Sequence, residues 1–147
     1  MINTYIPYLK SNEKKILLNC LKTNYVSTVG PNVKSFEKLF CKKFKFKNSI
    51  ALNSGTSALH LALLISKIRA DDLIITPSYT FAATVNAILY TGAKPWFFDC
   101  NKELILDLEK LKNLIKKKTF IRKKTLIDKS TLKKIKTIIL VQSFVKK

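Results

Sequence analysis

The sequence predicts an α/β fold, a mostly parallel sheet with flanking helices, and three observations carry that prediction. Short apolar runs recur at 49–52, 73–76, 95–98 and 135–141, each of strand length. Helical spacing of apolar residues fills the intervals at 57–68, 81–90 and 107–117. Turn-forming residues punctuate the joints, as in Asn53-Ser54-Gly55-Thr56, Thr76-Pro77-Ser78 and Thr91-Gly92-Ala93. Alternating strands and helices imply right-handed crossovers and a covered sheet. Ligands of such sheets bind beyond the carboxyl ends of the strands.

The elements follow in order, without internal repeats and as one α/β domain. Ser11 is placed to cap a first helix with Ile16, Leu17, Cys20 and Leu21 on one face. Residues 24–32 make a loop rich in Ser, Thr, Gly and Pro. Val33, Phe36, Leu39 and Phe40, with Phe44 as a further candidate, form the apolar stripe of a second helix. Three strand–helix units come next, and 135–141 is the last strand. Between them, 113–134 holds little but Lys, Thr and isolated apolar residues. That stretch is a hairpin or an exposed excursion, and a solvated loop is the preferred reading.

The joint between the first strand and its helix concentrates the chemistry. Ser49-Ile50-Ala51-Leu52 runs through Asn53-Ser54-Gly55-Thr56-Ser57 into a helix carrying Ala58, Leu59, Ala62, Leu63 and Ser66 at helical spacing. Such a turn presents free amides, hydroxyls and the positive end of a helix dipole at one point, a site suited to phosphate. Gly55 allows either close approach or a positive φ, and Thr56 and Ser57 add hydroxyl donors. The plain alternative is an ordinary Ser/Thr cap on a core helix.

Composition narrows the function classes. With 147 residues, 47% of them hydrophobic, the chain can bury a sizeable core and is no disordered tail. The longest clean apolar run, 61–65, is far too short to span a membrane. Met1-Ile2-Asn3-Thr4 lacks a charged region followed by an apolar one, so no secretory signal is expected. Cys20, Cys41 and Cys100 form no CxxC pair, which fits reduced, partly buried thiols in a cytoplasmic protein. His60 is the sole histidine, so any His-dependent catalysis or metal site would rest on it. Its place on the helix after the turn favours a structural role.

The net charge of +19 raises nucleic-acid or anionic-membrane binding. Against it, Arg69 and Arg122 are the only arginines, although Arg is the residue that grips phosphates and bases bidentately. The lysines are spread along the chain rather than gathered in a motif, so a solvated lysine surface is the better reading. Abundant Lys, Ile, Asn and Phe with only 3 Gly also suggest a bias toward A/T-rich codons.

An ordered series of motifs brings in a resemblance. Val26-Ser27-Thr28-Val29-Gly30-Pro31, Phe36-Glu37, Ser54-Gly55-Thr56-Ser57-Ala58-Leu59-His60, Thr76-Pro77-Ser78-Tyr79-Thr80-Phe81, Asn86-Ala87-Ile88 and Gly92-Ala93-Lys94-Pro95 resemble the start of the DegT/DnrJ/EryC1/StrS family. The resemblance covers residues 5–100. It implies the N-terminal portion of the large domain of an aspartate-aminotransferase-like, fold type I enzyme. Pyridoxal 5'-phosphate (PLP) would be the cofactor, with a nucleotide-linked keto sugar and an amino-acid donor as substrates and a homodimer as the intact enzyme. The basic stretch 113–134 is similar to the branch making legionaminic- and pseudaminic-acid-type sugars.

Carried onto this chain, the resemblance gives Gly55, Thr56 and Ser57 the cofactor phosphate. It sets Phe81 against the pyridine ring, with a core Phe as the alternative. Ser27 to Pro31 matches a loop near the substrate and the dimer partner. The implied organisation is 1–32 for the first helix and that loop, 33–112 for the strand–helix units, 113–134 for the basic excursion and 135–147 for the last strand.

The departures bear on activity. The family's chemistry needs a lysine that forms the Schiff base and a carboxylate at the pyridine nitrogen, both beyond the strand at 135–141. Val141-Gln142-Ser143-Phe144-Val145 stands where the family has Val-His, an aromatic or apolar pair and Gly, so Gln142 replaces the His and Val145 the Gly. No lysine here lies in a matching context. The expectation is a chain with half the cofactor pocket, unable by itself to transaminate, and either poorly soluble or dependent on a partner chain because its sheet edge is open. No catalytic or metal-ligating residue is assigned. A phosphate-ligand binding module without catalysis and a basic nucleic-acid-binding protein remain the alternatives.

Overall fold

The computed structural model describes Leu9 and residues 11–142. The Ser11 side chain, expected to cap the first helix, and residues 143–145 of the C-terminal motif lie outside what is described. The chain divides into two compact units, Met1–Ala51 and Leu52–Lys147.

The first unit is helical. Helix α1 spans Ser11–Lys22 and α2 spans Pro31–Phe44. Pro31 opens α2 because its missing amide is one the first turn leaves unbonded anyway. The helix closes on Lys45 at φ 57, where the Phe46 amide reaches back to the Cys41 carbonyl at 3.1 Å. The expected stripe on α2 forms an aromatic cluster, with Phe40 4.5 Å from Phe44 and 6.2 Å from Phe46 between centroids. Yet α2 buries none of its residues, and Ile16, Leu17 and Leu21 of α1 stay exposed.

The strand expected at 49–52 does not form. Its polar groups are taken by α2 instead: Ser49 Oγ donates to the Glu37 carbonyl at 2.8 Å, and the Ala51 amide to the Glu37 carboxylate at 2.9 Å. A strand needs a ladder partner, and among the described residues none pairs with this segment.

The second unit carries the sheet. Its elements are α3 (Gly55–Ile65), β1 (Leu73–Pro77), α4 (Ala82–Tyr90), β2 (Lys94–Phe98), α5 (Leu108–Lys118), β3 (Thr119–Arg122), β4 (Thr125–Asp128) and β5 (Lys134–Ile138). The strand order is β2-β1-β5-β4-β3. Strands β2, β1 and β5 run parallel, and the β3–β4 hairpin adds to β5 antiparallel. Pro95 fits because β2 lies at the edge, where an amide can be spared.

Strand β1, flanked by β2 and β5, is buried at every residue, as its unbroken apolar run requires. Alternation divides its side chains between two layers. Ile74 packs with Leu63, Ile68, Ala87, Ile88 and Ala93 on the α3–α4 side. Leu73 and Ile75 pack with Leu106, Leu111 and Ile135 on the α5 side.

The stretch 113–134, read preferentially as a solvated loop, is mostly regular. Helix α5 continues to Lys118 and the β3–β4 hairpin follows. The alternation Phe120, Ile121, Leu126, Ile127 finds a ladder because the chain reverses through Lys123 and Lys124, both left-handed at φ 48 and 60. Two lysines hold a turn usually made by Asn and Gly, and that concealed the hairpin.

Asp128 closes the next turn. It accepts the Thr131 amide at 2.8 Å and the hydroxyls of Ser130 and Thr131, each at 2.6 Å. Burial pushes its carboxyl up, but these donors outweigh burial and hold its pKa below the ordinary value. A depressed folded pKa stabilises the fold above the unfolded value of about 3.9 and is lost as pH falls through the folded one. Acid titration of the melting temperature should therefore steepen below about pH 4. Asp128→Asn should flatten that dependence and cost about 2 kcal/mol at neutral pH.

Gly92 ends α4 at φ 75, and its carbonyl accepts the Asp71 amide at 3.1 Å. A Cβ there would lie 3.0 Å from the Ala70 Cβ and 3.3 Å from its Cα. Gly92→Ala combines left-handed strain of about 1–2 kcal/mol with that contact. A chemical-denaturation midpoint lowered by more than the strain alone accounts for is the expected result.

Candidate cofactor-binding site

The expected phosphate turn forms the N-terminus of α3. Ser54, extended at φ −156 and ψ 158, is the N-cap, and its hydroxyl accepts the Ser57 amide at 3.1 Å. Its carbonyl accepts the Ala58 amide at 3.1 Å. Ser57 Oγ donates to Asn53 Oδ1 at 2.8 Å and lies 3.0 Å from Ser54 Oγ. Asn53 thus organises the turn from outside the helix, a role that its position one residue before the cap could have signalled.

These bonds leave a defined set of donors. The Ser57 amide is capped, whereas the Gly55 and Thr56 amides and the Thr56 hydroxyl have no acceptor among the described residues. Gly55 does not need a positive φ, and a Cβ built on it meets nothing within 4 Å. Of its two sequence readings, close approach is the one the backbone retains. Two amides, a hydroxyl and a helix dipole converge on open space, an arrangement that fits a phosphate. Ser57, expected to donate its hydroxyl, has that proton committed to Asn53, so Thr56 is the readier of the two.

Phe81 occupies the N-cap position of α4 with φ −70 and ψ 144. It is 80% exposed and belongs to neither buried cluster of the described residues. On either side of it in sequence, the Thr80 hydroxyl donates to that of buried Thr84 at 2.9 Å. The Ser78 amide bonds the Phe98 carbonyl at 2.8 Å and anchors the loop to β2. Short connections make α3 and α4 both run antiparallel to β1, and the two helices pack on one cluster. Their N-termini therefore share the carboxyl end of the parallel strands, where such sheets bind ligands.

Other expectations can be placed. His60 meets Tyr90 edge-on at 5.7 Å and 70°, a packing role. Cys20, Cys41 and Cys100 are half-buried free thiols. In the first unit, the Val29 amide bonds Ser27 Oγ at 3.3 Å, and the Tyr25 ring lies against Gly30. One group escaped the sequence reading: the hydroxyl of Thr76, fully buried on β1 and without a hydrogen-bond partner. Nothing in its motif distinguishes it from a neighbouring apolar residue.

The pattern of the DegT/DnrJ/EryC1/StrS aminotransferase family matches residues 7–143. The chain belongs to this family. GDP-perosamine synthase of Caulobacter vibrioides is 40% identical over 115 residues, 78% of this chain and 31% of that protein. Its namesake from Vibrio cholerae is 38% identical over 116 residues, 78% of this chain and 32% of that one. The chain thus spans about a third of the length of these curated relatives.

Solved structures agree with the family fold. A DegT/DnrJ/EryC1/StrS aminotransferase from Brucella abortus superposes with a TM-score of 0.71 at 26% identity, covering 88% of this chain and 32% of that one. The PLP form of the sugar aminotransferase Spr1654 from Streptococcus pneumoniae gives 0.65 at 25% identity, covering 76% and 29%. The fold is that of fold type I PLP-dependent transferases, and PLP is the family's cofactor. No helix among the described residues is long and apolar enough to cross a membrane.

Proposed function

We propose that this chain forms the phosphate- and ring-binding side of the PLP site of an aminotransferase that converts a nucleotide-linked keto sugar into an amino sugar. The supporting observation is the pair of uncapped amides at Gly55 and Thr56, beside a glycine opening onto free space. Those amides and the Thr56 hydroxyl would bind the phosphate. Ser57 would add its hydroxyl if Asn53 releases it. Phe81 would lie against the ring, fixing its plane and keeping water from that face. Bound PLP supplies the electron sink for transamination.

An amino-acid donor and a homodimer complete the reading. The three free thiols fit a reducing, cytoplasmic setting. Because no lysine or carboxylate in these 147 residues matches the pair the chemistry needs, the chain alone binds PLP but does not transaminate.

Equilibrium dialysis of the purified chain against PLP tests binding. Saturable uptake should weaken about tenfold in Thr56→Val, which removes a hydrogen bond to a charged group. Phe81→Ala should also weaken it without lowering the melting temperature. Uptake unaltered by either change would refute the site. Turnover of a nucleotide-linked keto sugar with glutamate would refute the inactivity.

A further inference from the structure

One buried polar group has no part in the cofactor reading. The Thr76 hydroxyl is fully buried near the end of β1 and has no hydrogen-bond partner among the described residues. An unbonded buried hydroxyl is unfavourable, whereas valine has nearly the same shape, suits a strand as well and lacks the penalty. Neither stability nor strand propensity therefore accounts for a threonine at this position, and an orphaned group of this kind calls for a functional explanation.

Strand alternation puts Thr76 on the face of Ile74, toward α3 and α4. Buried Thr84 lies one turn before Ala87 and Ile88 on α4, so it belongs to the same layer. Two strand residues and one helical turn each advance by about 5–7 Å. Because α4 runs antiparallel to β1, Thr76 and Thr84 stand level, one step beyond the apolar cluster toward the carboxyl ends of the strands. The Thr84 hydroxyl accepts that of Thr80, and its own proton has no acceptor among the described residues. The Thr84 amide bonds the Phe81 carbonyl at 3.0 Å, which ties Thr84 to the residue that caps the same turn.

We propose that Thr76 is a positioning residue for Phe81: its hydroxyl accepts the Thr84 proton when a planar ring is seated on Phe81, and so fixes the first turn of α4 in its binding position. The run Thr80–Thr84–Thr76 is then continuous, and each hydroxyl reinforces the next in the low dielectric beneath the helix. A bond made only in the bound form adds to affinity and leaves the stability of the free fold untouched. That explains why a hydroxyl is kept where the ligand-free fold gives it nothing to bond. The role rests on the PLP site proposed above.

Equilibrium dialysis of the full chain against PLP, with thermal melting of the same samples, tests it. Thr76→Val should weaken uptake about fivefold while the melting temperature of the free chain is unchanged or raised. Thr76→Ser keeps the hydroxyl and should bind within about twofold of the unaltered chain, whatever its lost methyl does to stability. The effect of Thr76→Val should vanish in a Phe81→Ala background and persist in a Thr56→Val background. Full-strength binding by Thr76→Val would overturn the proposal. So would a lowered melting temperature in that variant, because the hydroxyl would then stabilise the free fold. An undiminished effect in the Phe81→Ala background would overturn the route through Phe81. Absence of uptake by the unaltered chain would overturn the PLP site itself, and this role with it.

Discussion

Thr56→Asp should weaken PLP binding by a hundredfold or more while leaving α3 at least as stable as before. The substitution removes the hydroxyl that stands free beside the two uncapped amides and puts a carboxylate in its place. A hundredfold loss needs about 2.8 kcal/mol. A lost charge-assisted hydrogen bond contributes about 1.5–3 kcal/mol. Like charges about 4 Å apart near a protein surface add about 4 kcal/mol before screening. Helix stability moves the other way, because an acidic residue in the first turn complements the dipole by about 0.3–1 kcal/mol. Dialysis against PLP alongside thermal melting separates the two effects. Lost binding with an unchanged or raised melting temperature is the expected pair. Unchanged binding would show that the phosphate lies elsewhere.

Ile74→Ala should be the most damaging of the conservative core changes, costing about 3–4 kcal/mol, with Ile74→Val near 1. Ile74 is completely buried on β1, between β2 and β5, and packs with Leu63, Ile68, Ala87, Ile88 and Ala93. Two of those neighbours are alanines, too small to move into the gap, so the cavity remains. Domains of this size are stable by only about 5–15 kcal/mol, so the change removes a large share. Denaturant unfolding should show a lowered midpoint at constant slope. A loss below about 1.5 kcal/mol would mean that α3 and α4 close over the vacated volume. Since Ile74 supports both helices that present the candidate site, PLP binding should fall with stability in this variant, unlike Thr56→Asp.

Much of the second unit was legible because its signals are local. The strands at 73–76 and 95–98 and the helices near 57–68, 81–90 and 107–117 sit within a few residues of their expected bounds. Unbroken apolar runs mark covered strands, and turn residues mark the joints. Where a partner was needed, the sequence was insufficient. The apolar run at 49–52 has strand composition, but Glu37 takes its hydrogen bonds and no ladder forms. The hairpin at 119–128 was obscured for the opposite reason: a Lys-Lys turn is a poor turn signal, and pairing with β5 carries it into place.

The candidate site divides in the same way. Ser54-Gly55-Thr56-Ser57 announces a polar helix start, because capping is decided within four residues. Which donors remain available is a matter of geometry. Asn53 engages the Ser57 hydroxyl and Ser54 its amide, so Gly55 and Thr56 are left as the free donors. The exposure of Phe81 could not be read from its motif, since a Phe at the start of a helix packs inward or outward according to what lies beneath it. Here the Thr80 hydroxyl bonds to Thr84 in the first turn of α4, and Phe81 between them stays exposed.

By itself the sequence determined the α/β class, the strand–helix–strand order over 73–98, the polar helix start at 54–57 and the family, because each rests on short-range periodicity or on motifs in fixed order. Only the tertiary structure decided that 49–52 is no strand, that 119–128 is a hairpin and that Phe81 faces out. Those outcomes depend on hydrogen-bond and packing partners distant in the chain, and no local pattern encodes them.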